Sequence, residues 1–172
     1  LLDGLGCAVT DLGIVPDTRA AVHSALVSAA SGHELLITSG GISRGEEDHV
    51  AAAVQRLGSL YFWRLAVKPG RPIAFGQVLG AMFLGLPGNP VAALVTFMRI
   101  ARPVVLAMGG CREVVPRLFR VTAGFSHAGK KTGRREWLRA RLVAGADGGP
   151  VARKCPREGS GILTSMVEAD GL

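Results

Sequence analysis

The chain has 172 residues, 48% of them hydrophobic and 19% charged, enough for one domain or two small ones with a sizeable core. Its 24 glycines and 9 prolines punctuate apolar stretches and build no low-complexity tract, which excludes a disordered or fibrous chain. The net charge of +7 is uneven: residues 1–110 carry 8 Lys/Arg against 7 Asp/Glu, while residues 111–172 carry 12 against 6, so the second part suits an anionic partner.

Leu1 in place of an initiator Met, and a turn-like end at Ala169-Asp170-Gly171-Leu172, read as the ends of a fragment, with no signal peptide in view. Three cysteines, Cys7, Cys111 and Cys155, are far apart and odd in number. They indicate neither a disulfide framework nor a paired metal site, and they fit small buried hydrophobes in a cytoplasmic protein.

In chain order, residues 7–15 are expected to form a strand and residues 17–30 a helix, with Ala21, Val22, Ala25, Leu26 and Ala29 on one face. Residues 35–38 read as a buried strand running into Ser39-Gly40-Gly41, followed by a helix over 46–57 that carries Val50, Ala53, Val54 and Leu57 at helical spacing. A strand over 60–67 leads into Lys68-Pro69-Gly70-Arg71-Pro72, and 73–75 and 81–84 suggest two more strands. Leu86-Pro87-Gly88-Asn89-Pro90 is a helix start, since Asn caps well and Pro suits the first turn. The apolar run 91–108 that follows is interrupted by Arg99, Arg102 and Pro103, and it is expected to be a buried helix, with no membrane span.

After Gly109-Gly110 the pattern changes to alternation at 114–122 and 137–143 with frequent turns. The expected organisation is an α/β domain over 1–110, a parallel sheet covered by helices on both faces, and a small, incomplete β-barrel-like domain over 111–172.

Loops at 39–48, 68–72 and 86–90 all follow expected strands, which in a parallel sheet gathers them at the carboxyl edge where ligands bind. Glycine lets the backbone approach oxygen atoms, and helix starts favour anions. In Ser39-Gly40-Gly41-Ile42-Ser43-Arg44-Gly45-Glu46-Glu47-Asp48, the pair Ser43 and Glu46 also matches a capping box, a purely structural alternative. Asp48 sits deeper, where a carboxylate meets a divalent metal or, through water, an oxyanion. Asp17 has two readings, a cap for the next helix or a second carboxylate that holds a cation with Asp48. Arg64 and Lys68, with Arg71 projected close by, form a candidate oxyanion clamp, against the alternative of solvated charges. The four histidines show no paired metal spacing and are expected on the surface or in the core. No Walker A, Rossmann or nucleophile-elbow pattern occurs.

Together, Ser39 to Asp48, Lys68-Pro69-Gly70-Arg71-Pro72, Leu86-Pro87-Gly88-Asn89-Pro90-Val91 and Gly159-Ser160-Gly161-Ile162-Leu163-Thr164-Ser165-Met166 resemble the motifs of the MoeA and gephyrin E-domain family of molybdopterin molybdenumtransferases. The resemblance implies a three-layer α/β/α, MogA-like molybdopterin-binding domain and a C-terminal β-barrel that adds polar groups to the cleft. It also implies insertion of molybdate into adenylylated molybdopterin, with release of AMP and with Mg²⁺ as cofactor. By position, Asp17 and Asp48 would help hold molybdate or Mg²⁺ and, with Lys68, make up the catalytic set. Ser39, Gly40, Gly41, Ser43, Gly45, Glu46, Arg64, Pro69, Gly70, Arg71, Pro87, Gly88, Asn89, Arg139 and Ser160 would face the anionic substrate. Arg139 and Ser160 have plain alternatives as a solvated strand charge and a turn residue. Implied partners are a second copy in a homodimer and a molybdopterin adenylyltransferase.

Two rival functions stay open at this point: adenylylation of molybdopterin on a similar α/β module, and a non-catalytic scaffold on the same fold. Nucleic-acid binding is disfavoured, because aromatics are 5% of the chain and basic residues never run longer than two.

Overall fold

A strand that is apolar at every position needs cover on both of its faces, and Ala81–Leu86 (β5) is such a strand. The computed structural model, which describes residues 1–42, 48–128, 133–156, 159 and 161–172 and only the backbone of Phe62 and Trp63, places β5 inside a four-stranded sheet. The strand order is Leu35–Ser39 (β1), β5, Pro72–Val78 (β4) and Gly58–Arg64 (β2).

Period-two alternation sorts the side chains of this sheet between two cores. Leu36, Ala74, Val78, Ala81 and Phe83 face helices Arg19–Ala30 (α1) and His49–Leu57 (α2), meeting Val22, Leu26, Ala53 and Val54. Leu35, Ile37, Phe75, Leu84 and Leu86 face the other way, against Phe97, Ala101 and Val104. The result is the expected three-layer α/β/α arrangement.

Three expectations about this part need correction. The sheet is mixed, because only β1 and β5 run parallel, whereas β5–β4 and β4–β2 are antiparallel. The two-residue turn at 79–80 forces antiparallel pairing of β4 with β5, and the seven residues 65–71, without a crossover helix, return the chain beside β2 in the opposite sense. Residues 7–15 form no strand, and most of their side chains are exposed, so they lack the packing that would reward extended pairing. The strand expected over 60–67 breaks at Leu65 and Ala66, and Val67–Lys68 (β3) leaves the sheet.

The apolar run is one helical body over Pro90–Met108, made of Pro90–Thr96 (α3), a π-helical turn at Phe97–Ala101 and Arg102–Met108 (α4). The widened turn ends two residues before Pro103, which has no N–H to give the carbonyl one turn back. By length and composition the helix could cross a membrane, but Val91, Val95, Phe97, Ala101 and Val105 are buried inside the protein.

Beyond Gly110, the described residues hold an open three-stranded sheet of Thr122–Ala123 (β6), Pro150–Lys154 (β9) and Ala140–Ala144 (β8), followed by the short helix Thr164–Val167 (α5). Among the described residues this sheet is not closed into a barrel. A further short strand, Arg135–Glu136 (β7), pairs in parallel with β3, Val67 opposite Arg135 and Lys68 opposite Glu136.

Phe83 has no exposed surface and lies between β1 and β4 neighbours. Replacing it by alanine is expected to cost about 3–5 kcal/mol in denaturant unfolding; a loss below about 1 kcal/mol would contradict this placement of the core.

Candidate anion-binding cleft

The described parts of the three loops come to one rim, by a route other than an all-parallel sheet. Ser39 ends β1 opposite Leu86, which ends β5, while Arg64 ends β2 opposite Pro72, which starts β4. Antiparallel pairing therefore puts the start of β4, and the 68–72 loop before it, at the same edge as the ends of β1 and β5. The chain makes contact along this rim: the Gly40 N–H donates to the Leu86 carbonyl at 3.0 Å, and Ser39 Oγ donates to the Pro87 carbonyl at 3.3 Å. Gly40 has φ of +88°, and a Cβ on Gly88 would lie 3.4 Å from the Gly40 Cα, so two glycines let these loops cross closely.

Helix starts lie along this rim. Asp48 caps α2, its Oδ1 accepting from the Ala51 N–H at 2.9 Å, and Asn89 Oδ1 caps α3 by accepting from the Ala92 N–H at 3.2 Å. The cap of α1 is Thr18, which accepts from the Ala21 N–H at 3.3 Å, and not Asp17. The hydroxyl sits one residue closer to the first turn, and the helix begins there. Asp17 is exposed and makes no hydrogen bond or ion pair among the described residues.

Asp48 Oδ2 is buried and has no hydrogen-bond partner among the described residues, and the same holds for Thr38 Oγ1 near the end of β1. A buried carboxylate oxygen without a donor is costly unless a cation or donor arrives. Its single free oxygen fits one ligand position of a hard divalent cation that takes its remaining oxygens from substrate and water. No group of three or more His, Cys, Asp or Glu side chains that could hold a metal occurs among the described residues.

A cavity of about 360 Å³ opens between the two parts of the chain. One wall is Lys68, Pro69, Gly70 and Asn89; the other is Glu136, Trp137, Arg139 and Lys154. Main-chain bonds hold the walls together, from the Arg135 N–H to the Ala66 carbonyl at 2.8 Å and from the Trp137 N–H to the Lys68 carbonyl at 3.0 Å. The Arg99 guanidinium of the long helix lies 5.3 Å from the centre of the Trp137 ring, a cation–π contact across the same seam. Gly70, at φ +94°, is buried against Thr96 Oγ1 and the Ala92 carbonyl, and this brings the 68–72 loop onto the helix start.

Of the residues singled out in the sequence, Lys68, Pro69, Gly70, Asn89 and Arg139 line this cavity. Arg139 is tethered, its Nη1 donating to Ser165 Oγ at 2.8 Å and to the Gly159 carbonyl at 3.3 Å. Ser39, Gly40, Gly41, Pro87, Gly88 and Asp48 sit on the rim beside it and do not line it. Arg64 and Arg71 are exposed at that rim, outside the cavity wall, because the break after Arg64 turns Lys68 away toward β7. Ser43, Gly45, Glu46 and Ser160, and with them the capping box, lie outside the described residues.

Sequence reasoning passed over Glu136, His127, Lys154 and Ser165. Glu136 Oε1 meets Lys68 Nζ at 2.7 Å, and its Oε2 meets His127 Nε2 at 2.8 Å. Behind it, Lys154 Nζ lies 3.4 Å from His127 Nδ1. An ammonium has no lone pair, so Nδ1 accepts and the ring donates through Nε2 to the carboxylate. The hydrogen bond from Lys68 and then that from His127 hold the Glu136 carboxyl at about 2, well below its ordinary 4.5. The signal available in the sequence was a lone acid among Arg134, Arg135 and Arg139, which are otherwise all cations.

A second, shallower depression of about 720 Å³ lies at the opposite end of the sheet, around His33, Gln77, Gly80 and Met108. It is larger but carries no lysine or arginine, whereas the cavity between the two parts of the chain is lined by Lys68, Arg139 and Lys154.

Comparison with known proteins gives two matches to family models, a probable molybdopterin binding domain over residues 1–107 and the MoeA C-terminal region (domain IV) over residues 126–172. The chain is 37% identical over 171 residues to a molybdopterin molybdenumtransferase of Haemophilus influenzae, covering 99% of this chain and 42% of that protein. It is 31% identical over 140 residues to the molybdenum cofactor synthesis protein cinnamon of Drosophila melanogaster, covering 81% of this chain and 23% of that protein. Among solved structures, a molybdopterin biosynthesis MoeA protein of Pyrococcus horikoshii superposes with a TM-score of 0.72 at 25% identity, over 99% of this chain and 40% of the other. The chain thus spans less than half the length of these relatives.

Two outcomes test the geometry. Gly70→Ala adds a Cβ against Thr96 at a positive φ and is expected to destabilise the protein by about 1–3 kcal/mol in thermal or denaturant unfolding; an unchanged stability would contradict it. The charged Glu136 stabilises the fold fully above its ordinary pKa of 4.5, and that contribution drains away as pH falls toward about 2. Unfolding midpoints measured across this window should fall less steeply in Glu136→Gln, and parallel curves would refute the ion pair.

Proposed function

The chain belongs to the molybdopterin-binding MoeA family, and we propose that it forms the C-terminal part of an enzyme that inserts molybdate into adenylylated molybdopterin and releases AMP. The observation that carries this reading is the cleft wall, where Lys68 and Arg139, from opposite parts of the chain, line one cavity beside a glycine-rich rim.

The chemistry demands such a wall. A phosphoanhydride and a molybdate dianion repel one another, and two unit charges 4 Å apart interact by about 4 kcal/mol at a protein-surface dielectric. Lys68, Arg139 and Lys154 offset that repulsion before oxygen is displaced at molybdenum. Arg139 arrives oriented, because Ser165 and the Gly159 carbonyl already hold its guanidinium, so little entropy is lost when an oxyanion binds. Lys68, with 62% of its side chain exposed, is the mobile charge. The rim glycines Gly40, Gly41 and Gly88, with Ser39, Pro87, Asn89, Pro69 and Gly70, offer backbone and amide contacts to the pterin phosphate. Arg64 and Arg71 extend the positive field toward solvent.

Asp48 would hold Mg²⁺ through Oδ2, with Asp17 as a further oxygen donor at the start of the neighbouring helix. When bound, the cation supplies charge neutralisation for the phosphoanhydride. Asp48 itself keeps the α2 start in place through its other oxygen. A homodimer, a molybdopterin adenylyltransferase partner that hands over the substrate, and a cytoplasmic setting complete the proposal. The exposed Leu118 and Phe119 supply apolar surface for a second copy.

Asp48→Asn separates cap from charge, since Asn caps a helix as well as Asp does. In the full-length protein it is expected to leave stability within about 0.5 kcal/mol of the parent and to lower molybdate insertion by about 100-fold. Insertion at the parent rate would remove Asp48 from the site.

A further inference from the structure

We infer that Glu136 is a positioning residue that parks the Lys68 ammonium on the cavity wall and competes with the incoming oxyanion for it. The inference rests on the proposed reading of this cleft as an oxyanion site and adds a residue and a step to it.

The carboxylate and the ammonium are unlike in their surroundings. Glu136 has 10% of its side chain exposed, whereas Lys68 has 62%. Lys68 is therefore free to swing on its four-carbon stem while Glu136 stays fixed, and an ion pair with one exposed partner is weak enough to exchange. A buried carboxylate stripped of its cation would ordinarily resist that exchange. Here it does not stand alone, because His127 Nε2 donates to Oε2 at 2.8 Å and Lys154 backs the ring from the other side at 3.4 Å. Two donors meet two different oxygens of Glu136, so Lys68 can leave Oε1 without disturbing the bond at Oε2.

The main chain fixes the distance over which the exchange takes place. Lys68 and Glu136 are register partners in the β3–β7 pair, and Arg139, three residues beyond Glu136, lines the same cavity with its guanidinium already tethered. An oxyanion bound first by Arg139 lies within the compartment where the ammonium is parked, and it draws Lys68 off Glu136. The parked state keeps the cleft from holding a bare cation when empty, and the pair breaks only for a ligand that offers more negative charge than one carboxylate.

The test is a double-mutant cycle on molybdate binding by the full-length protein, followed by equilibrium dialysis, with molybdate insertion measured alongside. Glu136→Gln keeps the side-chain shape and removes the competing charge, and it should tighten molybdate binding by about two- to five-fold, the range an exposed ion pair spans. The same substitution made on Lys68→Ala should change binding by less than about 1.5-fold, because the competition acts through Lys68. An equal tightening in both backgrounds would overturn the inference, since Glu136 would then act only as a nearby negative charge. Weaker binding in Glu136→Gln would overturn it as well. Should Glu136→Gln fail to fold, Glu136→Asp takes its place: the shorter carboxylate cannot span His127 and Lys68, and the same dependence on Lys68 is required. Coupling without insertion would sink the functional reading alone, and insertion without coupling would sink this inference alone.

Discussion

The cleft depends on one short piece of main-chain pairing, that of Val67–Lys68 with Arg135–Glu136. The cation–π contact of Arg99 with Trp137 supports the same seam from the long helix. Through the pairing, Lys68 is carried out of the large sheet and set opposite Glu136, and the cavity acquires one wall from each part. Two residues per strand give few hydrogen bonds. Their hold is reinforced by the Lys68–Glu136 ion pair at 2.7 Å and by Trp137, whose N–H donates to the Lys68 carbonyl. Backbone geometry and side-chain charge thus act at the same place, which is what allows a weak pair to set the shape of a site.

Around that seam the two parts divide the work. The α/β part supplies rigidity, since its sheet is filled on both faces by apolar side chains such as Phe83, Val54 and Leu84, none of which has exposed surface. A rigid sheet edge lets loops with little packing of their own hold position, so Gly40 and Gly88 can meet backbone to backbone. The basic C-terminal part supplies charge. Its own sheet is small and its strands are largely exposed, and it depends on the first part to aim that charge. This division accounts for the uneven distribution of lysine and arginine along the sequence.

Much of this was legible from residues alone. The helices at 19–30, 49–57 and 90–108 follow from apolar spacing, and Asn89-Pro90 marks a helix start that the structure reproduces. The gathering of the three glycine loops was also legible, although the parallel sheet invoked for it was not what forms. β4 and β5 are joined by a two-residue turn at Leu79 and Gly80, and a connection that short settles antiparallel pairing whatever the hydrophobic pattern. The break after Arg64 was hidden, since 60–67 is apolar enough to continue and only the distant partner strand β7 draws Val67 and Lys68 away. For the same reason Arg64 and Lys68, neighbours in sequence, part company in space. Glu136 and His127 were invisible as a pair because they are nine residues apart with no shared periodicity. Only tertiary structure brings an imidazole and an ammonium to the two oxygens of one carboxylate.

Oxyanions are proposed to bind between the two parts of the chain, on the wall shared by Lys68 and Arg139. A crystal structure of the full-length protein soaked with molybdate and AMP tests this most directly. Density for an oxyanion is expected within hydrogen-bonding distance of Arg139 Nη1, with Lys68 Nζ drawn from Glu136 toward it. Density at the opposite end of the sheet, in the depression around His33 and Met108, with Lys68 still on Glu136, would contradict this binding site.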